Sequence, residues 1–179
     1  LCKYIPNLSH FMIDITQVSR IYATIHETAD VEARIASFSE TGIVRDFIQN
    51  HILMVVAEML SRESNGSRTG ILNSIEPFVE EQCTIGYYEG YSGPESSPTQ
   101  VTCQTSIQLS ESDSPVGLYV DVAKKAASST YSITICTKDD TKHVFTIQPD
   151  AMYNMYTNNV LVDSQMIPSY DAYLSVLER

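Results

Sequence analysis

Residues 99–110 read TQVTCQTSIQLS, and the fold turns on this stretch. Val101, Cys103, Thr105, Ile107 and Leu109 fall on one side of an extended chain, with Thr102, Gln104, Ser106, Gln108 and Ser110 on the other. Successive side chains leave a pleated strand in opposite directions, so a period of two marks a strand with one buried face. A strand that is apolar on one side only belongs to an antiparallel or mixed sheet whose second face is solvated. Downstream, residues 116–122, 131–136 and 142–148 read as further strands, set apart by turns of Lys, Ser and Asp. Upstream, residues 86–98 (GYYEGYSGPESSP) are dense in turn formers, and residues 14–27 (DITQVSRIYATIHE) predict a strand ending near Glu27.

One segment carries a different rhythm. Between residues 43 and 60, Val44, Phe47, Ile48, His51, Ile52, Val55 and Met59 recur at helical spacing. Ser39 and Thr41 are candidate N-caps, and Glu40 and Asp46 suit the positive end of the helix dipole. Residues 28–37 show no period. Residues 61–70 (SRESNGSRTG) predict a polar loop, and residues 170–179 look like the start of another helix. A helix-rich beginning with a strand-rich remainder predicts an α+β fold, with residues 1–179 forming one domain.

The chain has 179 residues, 11 Lys+Arg against 22 Asp+Glu, and a formal charge of −11. Such a surface argues against nucleic acid, whose binders need clustered cations. Hydrophobic residues at 43% and charged residues at 18% exclude a disordered chain. The longest apolar run, residues 52–57, is far shorter than the roughly 20 residues of a membrane helix, so no membrane span is expected. Residue 1 is Leu, and no signal peptide follows it, so a piece of a longer cytoplasmic chain is expected. Cys2, Cys83, Cys103 and Cys136 show no C-x-x-C spacing and no paired His, which predicts reduced thiols and neither metal site nor disulfide scaffold.

His51 is the first residue with chemical interest. It lies on the apolar stripe, one turn past Phe47 and one before Val55. There it is either a core histidine with satisfied nitrogens or a general base facing a cleft. Asp46, Glu27, Lys125 and Gln148 each have an ordinary structural explanation: a first-turn acid, a strand-end carboxylate, a turn lysine and a turn residue before Pro149. No glycine-rich phosphate loop, G-x-S-x-G or H-E-x-x-H is present.

Several segments taken together go further. Residues 39–60 (SETGIVRDFIQNHILMVVAEML) resemble the "G-I-I-R-D-x-x-Q-N-H-L" helix of glucose-6-phosphate dehydrogenases. CKYIPN at residues 2–7 and TIHE at residues 24–27 are similar to that family's "L-R-F-x-N" and "T-F-K-E" segments. VGLYVDVAKKA resembles "G-V-P-F-x-x-x-x-G-K-A", HVFTIQPDAMY resembles "L-V-I-R-x-Q-P-x-E-A-x-Y", and YDAYLSVL resembles "P-D-A-Y-E-R-L".

The resemblance implies the C-terminal part of an NADP-dependent glucose-6-phosphate 1-dehydrogenase, which oxidises C1 of glucose 6-phosphate to the lactone. It implies a large, mostly antiparallel sheet with helices on one side, through which the chain pairs as a homo-dimer or tetramer. His51 would be the general base. Glu27, Asp46, Lys125 and Gln148 would contact the substrate. NADP would be bound mainly by a dinucleotide-binding domain that these residues do not contain, so the 179 residues by themselves are expected to be inactive. The departures from the pattern favour a second reading, a degenerate relative serving as a binding or assembly subunit. The glycine before the G-K-A lysine is Lys124, the arginine of the I-R-x-Q-P strand is Thr146, and the arginine expected after G-K-A is replaced within residues 128–130. The family's "R-I-D-H-Y-L-G-K" segment, which supplies the aspartate that orients the histidine, is also not found.

Overall fold

The alternating segments assemble into one sheet. The computed structural model describes residues 13–63, 67–110 and 112–167. Its strands are β1 (Val18–His26), β2 (Cys83–Gly86), β3 (Gln100–Ile107), β4 (Val116–Ala123), β5 (Thr130–Thr137), β6 (Thr141–Gln148), β7 (Met152–Thr157) and β8 (Val160–Met166). They line up in the order β2-β3-β4-β1-β5-β6-β7-β8. β1 sits between β4, to which it runs parallel, and β5, to which it runs antiparallel. All other neighbours are antiparallel. The mixed, mostly antiparallel sheet expected from the sequence is therefore present.

β7 and β8 were not read from the sequence. Asn158 and Asn159 join them with φ of 50° and 62°, the left-handed conformation that Asn tolerates and that a two-residue hairpin loop needs. β8 ends the sheet with Val160, Leu161 and Val162 all exposed, so its composition carries no inside–outside signal.

The helical segments are α1 (Ile35–Ile43), a π-helical stretch (Val44–Leu53), α2 (Met54–Glu63) and α3 (Arg68–Asn73). Helix thus begins earlier than the hydrophobic period suggests, and residues 28–37 are not wholly irregular. Ser39 and Thr41 are not caps. Their hydroxyls donate back to the carbonyls of Ile35 (2.7 Å) and Ser37 (3.1 Å), four residues earlier within the helix. The break falls at Gly42, whose φ of 67° and ψ of 163° interrupt the winding between α1 and the π-helix. The polar loop is also shorter than expected, because Ser67 caps α3 by accepting from Gly70 N at 3.0 Å. The helix-like tail at residues 170–179 lies outside the described residues.

One face of the sheet meets the helices. Ile21, Ala23 and Ile25 of β1 and Leu118, Val120 and Val122 of β4 are buried, as are Phe47, Ile48 and Ile52 of the π-helix. The opposite face carries Arg20, Tyr22 and Thr24 of β1, with Tyr22 stacked on Tyr119 at 4.8 Å between ring centres.

Candidate functional site

Strict alternation places the ionisable residues. On β1 the core-facing positions are Ile21, Ala23 and Ile25, and the next in phase is Glu27, just past the strand end. On β4 they are Val116, Leu118, Val120 and Val122, and the next is Lys124. On β5 the core-facing Ile135 and Ile133 lead back to Tyr131 near the strand start. The carboxyl ends of the parallel pair thus project an acid and an amine onto the helix side of the sheet. The antiparallel β5 adds a phenol at the same end. Open sheets commonly place ligands at the carboxyl ends of parallel strands.

The groups converge. Lys124 Nζ lies 2.7 Å from Glu27 Oε2 and 3.6 Å from Asp46 Oδ2, with its side chain only 1% exposed. The ammonium also sits 3.9 Å above the Phe47 ring. The Tyr131 hydroxyl donates to Glu27 Oε1, so both oxygens of that carboxylate are engaged. Burial alone would raise the Glu27 pKa, but hydrogen bonds from Lys124 and Tyr131, together with the Lys124 charge, outweigh it and hold the carboxyl below its usual 4.5. Burial and the Glu27 carboxylate push the Tyr131 phenol well above its usual range, so the hydroxyl remains a donor.

The π-helix brings Asp46 and His51 toward one side. In an α-helix five residues swing a side chain about 140° away. Winding with i→i+5 hydrogen bonds returns residue i+5 much closer to residue i. Such segments are often found at functional sites. His51 is half-buried with its ring 6.3 Å from that of Phe47, and its Nδ1 is buried without a hydrogen-bond partner. A buried ring nitrogen in that state is uncommon and calls for a partner.

The sequence-predicted residues are therefore only partly gathered. Glu27 and Asp46 meet through Lys124, and His51 shares the π-helix with Asp46. Gln148 ends β6 directly opposite Tyr131, exposed at the same end of the sheet. Lys125 does not join them. Its φ of 52° turns it away, and its amine donates to the Glu89 carbonyl at 3.1 Å and lies 4.9 Å from the Tyr88 ring centre. Sequence reasoning missed Lys124 and Tyr131. Their period-two phase with the strand interiors was the available signal.

Fold and site together define an α+β domain that gathers ionisable side chains where its central parallel strands end. A family model described as "Glucose-6-phosphate dehydrogenase, C-terminal domain" matches residues 7–176, and the chain belongs to this family. A cytoplasmic glucose-6-phosphate 1-dehydrogenase of Arabidopsis thaliana is 26% identical over an alignment 144 positions long, which covers 73% of this chain and 28% of that protein. The glucose-6-phosphate 1-dehydrogenase structure from Mycobacterium avium superposes with a TM-score of 0.69 at 18% identity, covering 92% of this chain and 44% of that one. A glucose-6-phosphate dehydrogenase solved with glucose 6-phosphate gives 0.68 at 16% identity, covering 99% and 46%. The chain thus spans under half the length of each of these relatives.

Proposed function

We propose that this chain is the substrate-side domain of an NADP-dependent glucose-6-phosphate 1-dehydrogenase. The observation that carries this reading is the cluster of Glu27, Asp46 and Lys124 at the carboxyl ends of β1 and β4, with His51 on the helix that delivers Asp46. His51 takes the proton of the C1 hydroxyl through Nε2, and its buried, unpartnered Nδ1 calls for an orienting acceptor. NADP, when bound, would supply the acceptor for the hydride of C1. The glycine-rich turn that cradles a dinucleotide is not among these residues, so none of them is assigned to that cofactor. Glu27 and Asp46, drawn together by Lys124, offer acceptors for sugar hydroxyls, and Gln148 lies at the rim. Lys125 is the lysine that the family pattern puts on the substrate, but Lys124 holds the central place in this chain. The open face of the sheet serves as the contact with a second copy.

The test is NADPH formation from glucose 6-phosphate by the complete natural polypeptide and by its His51→Asn variant. The wild type turns over, the variant loses on the order of 10²–10⁴-fold in kcat, and residues 1–179 by themselves form no NADPH. An equally active variant removes His51 from the mechanism. A second reading, an assembly subunit without turnover, is favoured by one observation: Lys124 and Tyr131 already occupy both Glu27 oxygens. A folded but inactive wild type decides for it.

A further inference from the structure

Cys83 and Cys103 face each other across the β2–β3 ladder. Antiparallel ladders alternate hydrogen-bonded with non-hydrogen-bonded pairs, and the pattern on β3 identifies which this is. Lys124 N donates to Thr99 O in the register that pairs Gln100 with Ala123, so by parity Val101 and Cys103 aim their backbone groups at β4, while Thr99 N, just ahead of the strand, donates to Gly86 O. On the other side, Glu76 N donates to Ser106 O and Gln108 N to Ser74 O, so the even-numbered positions bond away from β4. Cys83 and Cys103 therefore form a non-hydrogen-bonded pair. Cα atoms in such pairs lie about 4.5 Å apart with side chains on the same face. That spacing falls inside the roughly 4.4–6.8 Å that a disulfide spans.

We propose that Cys83 and Cys103 form a reversible cross-strand disulfide, made by exchange with a low-molecular-weight disulfide such as oxidised glutathione. Both thiols are free in this structure. Cys83 is partly exposed on the edge strand, with its thiol donating to Val79 O at 3.2 Å, whereas Cys103 is buried. Cys83 is the sulfur a reagent reaches first. Its thiolate attacks one sulfur of the reagent and expels one thiolate. Cys103, deprotonated, then attacks the Cys83 sulfur and expels the second. The two protein thiols are oxidised, the reagent is reduced to two thiols, and no other reactant is needed. Burial, reinforced by the charge and hydrogen bond of Cys83, pushes the Cys103 thiol up to about 12, so closure is the slow step and accelerates with pH. Cys136 is no competitor: it lies on β5, three strands from β3, or about 14 Å at the usual strand spacing.

The bond would staple the open end of the β2–β3 hairpin, three pairs from the Gly86–Gln100 pair where the connection begins. That connection carries Tyr88, which donates to Glu32 at 2.7 Å, and Glu89, whose carbonyl holds Lys125. Oxidation thus locks the edge strand β2 onto β3 without crossing the segment that carries Tyr88 and Glu89.

The experiment equilibrates the complete natural polypeptide with oxidised glutathione, alkylates the remaining thiols and maps peptides by mass spectrometry. The expected product is a linked peptide pair carrying Cys83 and Cys103, short of two hydrogen atoms and reversed by dithiothreitol. Closure of the Cys83 mixed disulfide should accelerate about tenfold per pH unit between pH 7 and 9. The Cys103→Ser variant should stop at the Cys83–glutathione adduct, and Cys136→Ser should behave as the parent. The proposal is overturned if both sulfurs stay alkylatable, if wild-type Cys83 stops at the adduct, or if either cysteine links elsewhere.

Discussion

Lys124 is the residue on which the site's electrostatics turn. Removing its charge while keeping its unbranched stem, Lys124→Met, leaves the Glu27 carboxylate with only the Tyr131 donor and leaves Asp46 without its amine. Breaking a buried pair costs about 3–5 kcal/mol when the survivor is sealed in. Glu27 and Asp46 are 26% and 27% exposed, which lowers the expected loss to about 2–3 kcal/mol in a denaturant titration. The pH dependence has a definite sign. The folded Glu27 pKa lies below its usual 4.5, so its contribution is fully present above that value and is lost as pH falls through the folded pKa. In Lys124→Met burial acts without its counterweight, and the folded pKa moves upward. The gap in stability between parent and variant is therefore widest near neutrality and narrows below pH 4.5; a gap that stays constant across that range refutes the pairing. This lysine was legible in principle. Val116, Leu118, Val120 and Val122 set the phase and Lys124 continues it, whereas the family's lysine pattern falls on Lys125.

At the scale of elements, periodicity located the helix and misjudged its winding. Residues 43–60 show the same apolar recurrence whether the backbone closes on i+4 or i+5, because both windings bury Phe47, Ile48 and Ile52. Nothing in composition distinguishes them. The start was misplaced for a different reason: Ser39 and Thr41 have cap-forming side chains but spend their hydroxyls on carbonyls inside α1. The signal that mattered was Gly42. Its φ of 67° with ψ of 163° lies in a region that residues with a Cβ essentially avoid, and it redirects the chain into the segment that carries Asp46 and His51. Space is not the obstacle, since an added Cβ would meet only Ser97 Oγ, at 3.9 Å. Gly42→Ala should therefore cost about 1–3 kcal/mol through backbone strain alone, read as a lowered Tm. An unchanged Tm would mean that the break is not fixed by this glycine.

The whole molecule is organised by something the linear sequence does not display: β1 is drawn between β4 and β5, two strands more than ninety residues downstream. Strand content, the one-sided burial of β3 and an α+β class follow from local pattern. The strand order follows from long-range pairing, and with it the meeting of Glu27, Lys124 and Tyr131. The same order leaves a broad face on the side away from the helices. Tyr22, 38% exposed, stacks on Tyr119 there, with Arg20 and Thr24 along β1. Aromatic residues on an open sheet are efficient anchors for a symmetric contact, since they bury large areas at little cost in side-chain entropy. If this face joins two copies, Tyr22→Glu with Tyr119→Glu introduces four carboxylates into a self-complementary surface, two from each copy. Sedimentation of the complete natural polypeptide should then show a dimer or tetramer for the parent. The double variant should show a dissociation constant raised at least about 1000-fold, since loss of two anchors costs about 2 kcal/mol or more each. The helix-side core is untouched by these changes, so circular dichroism and the Tm of the dissociated chain separate a broken contact from a broken fold. A parent that sediments as a monomer, or a double variant that associates as tightly as the parent, rules out this face as the contact.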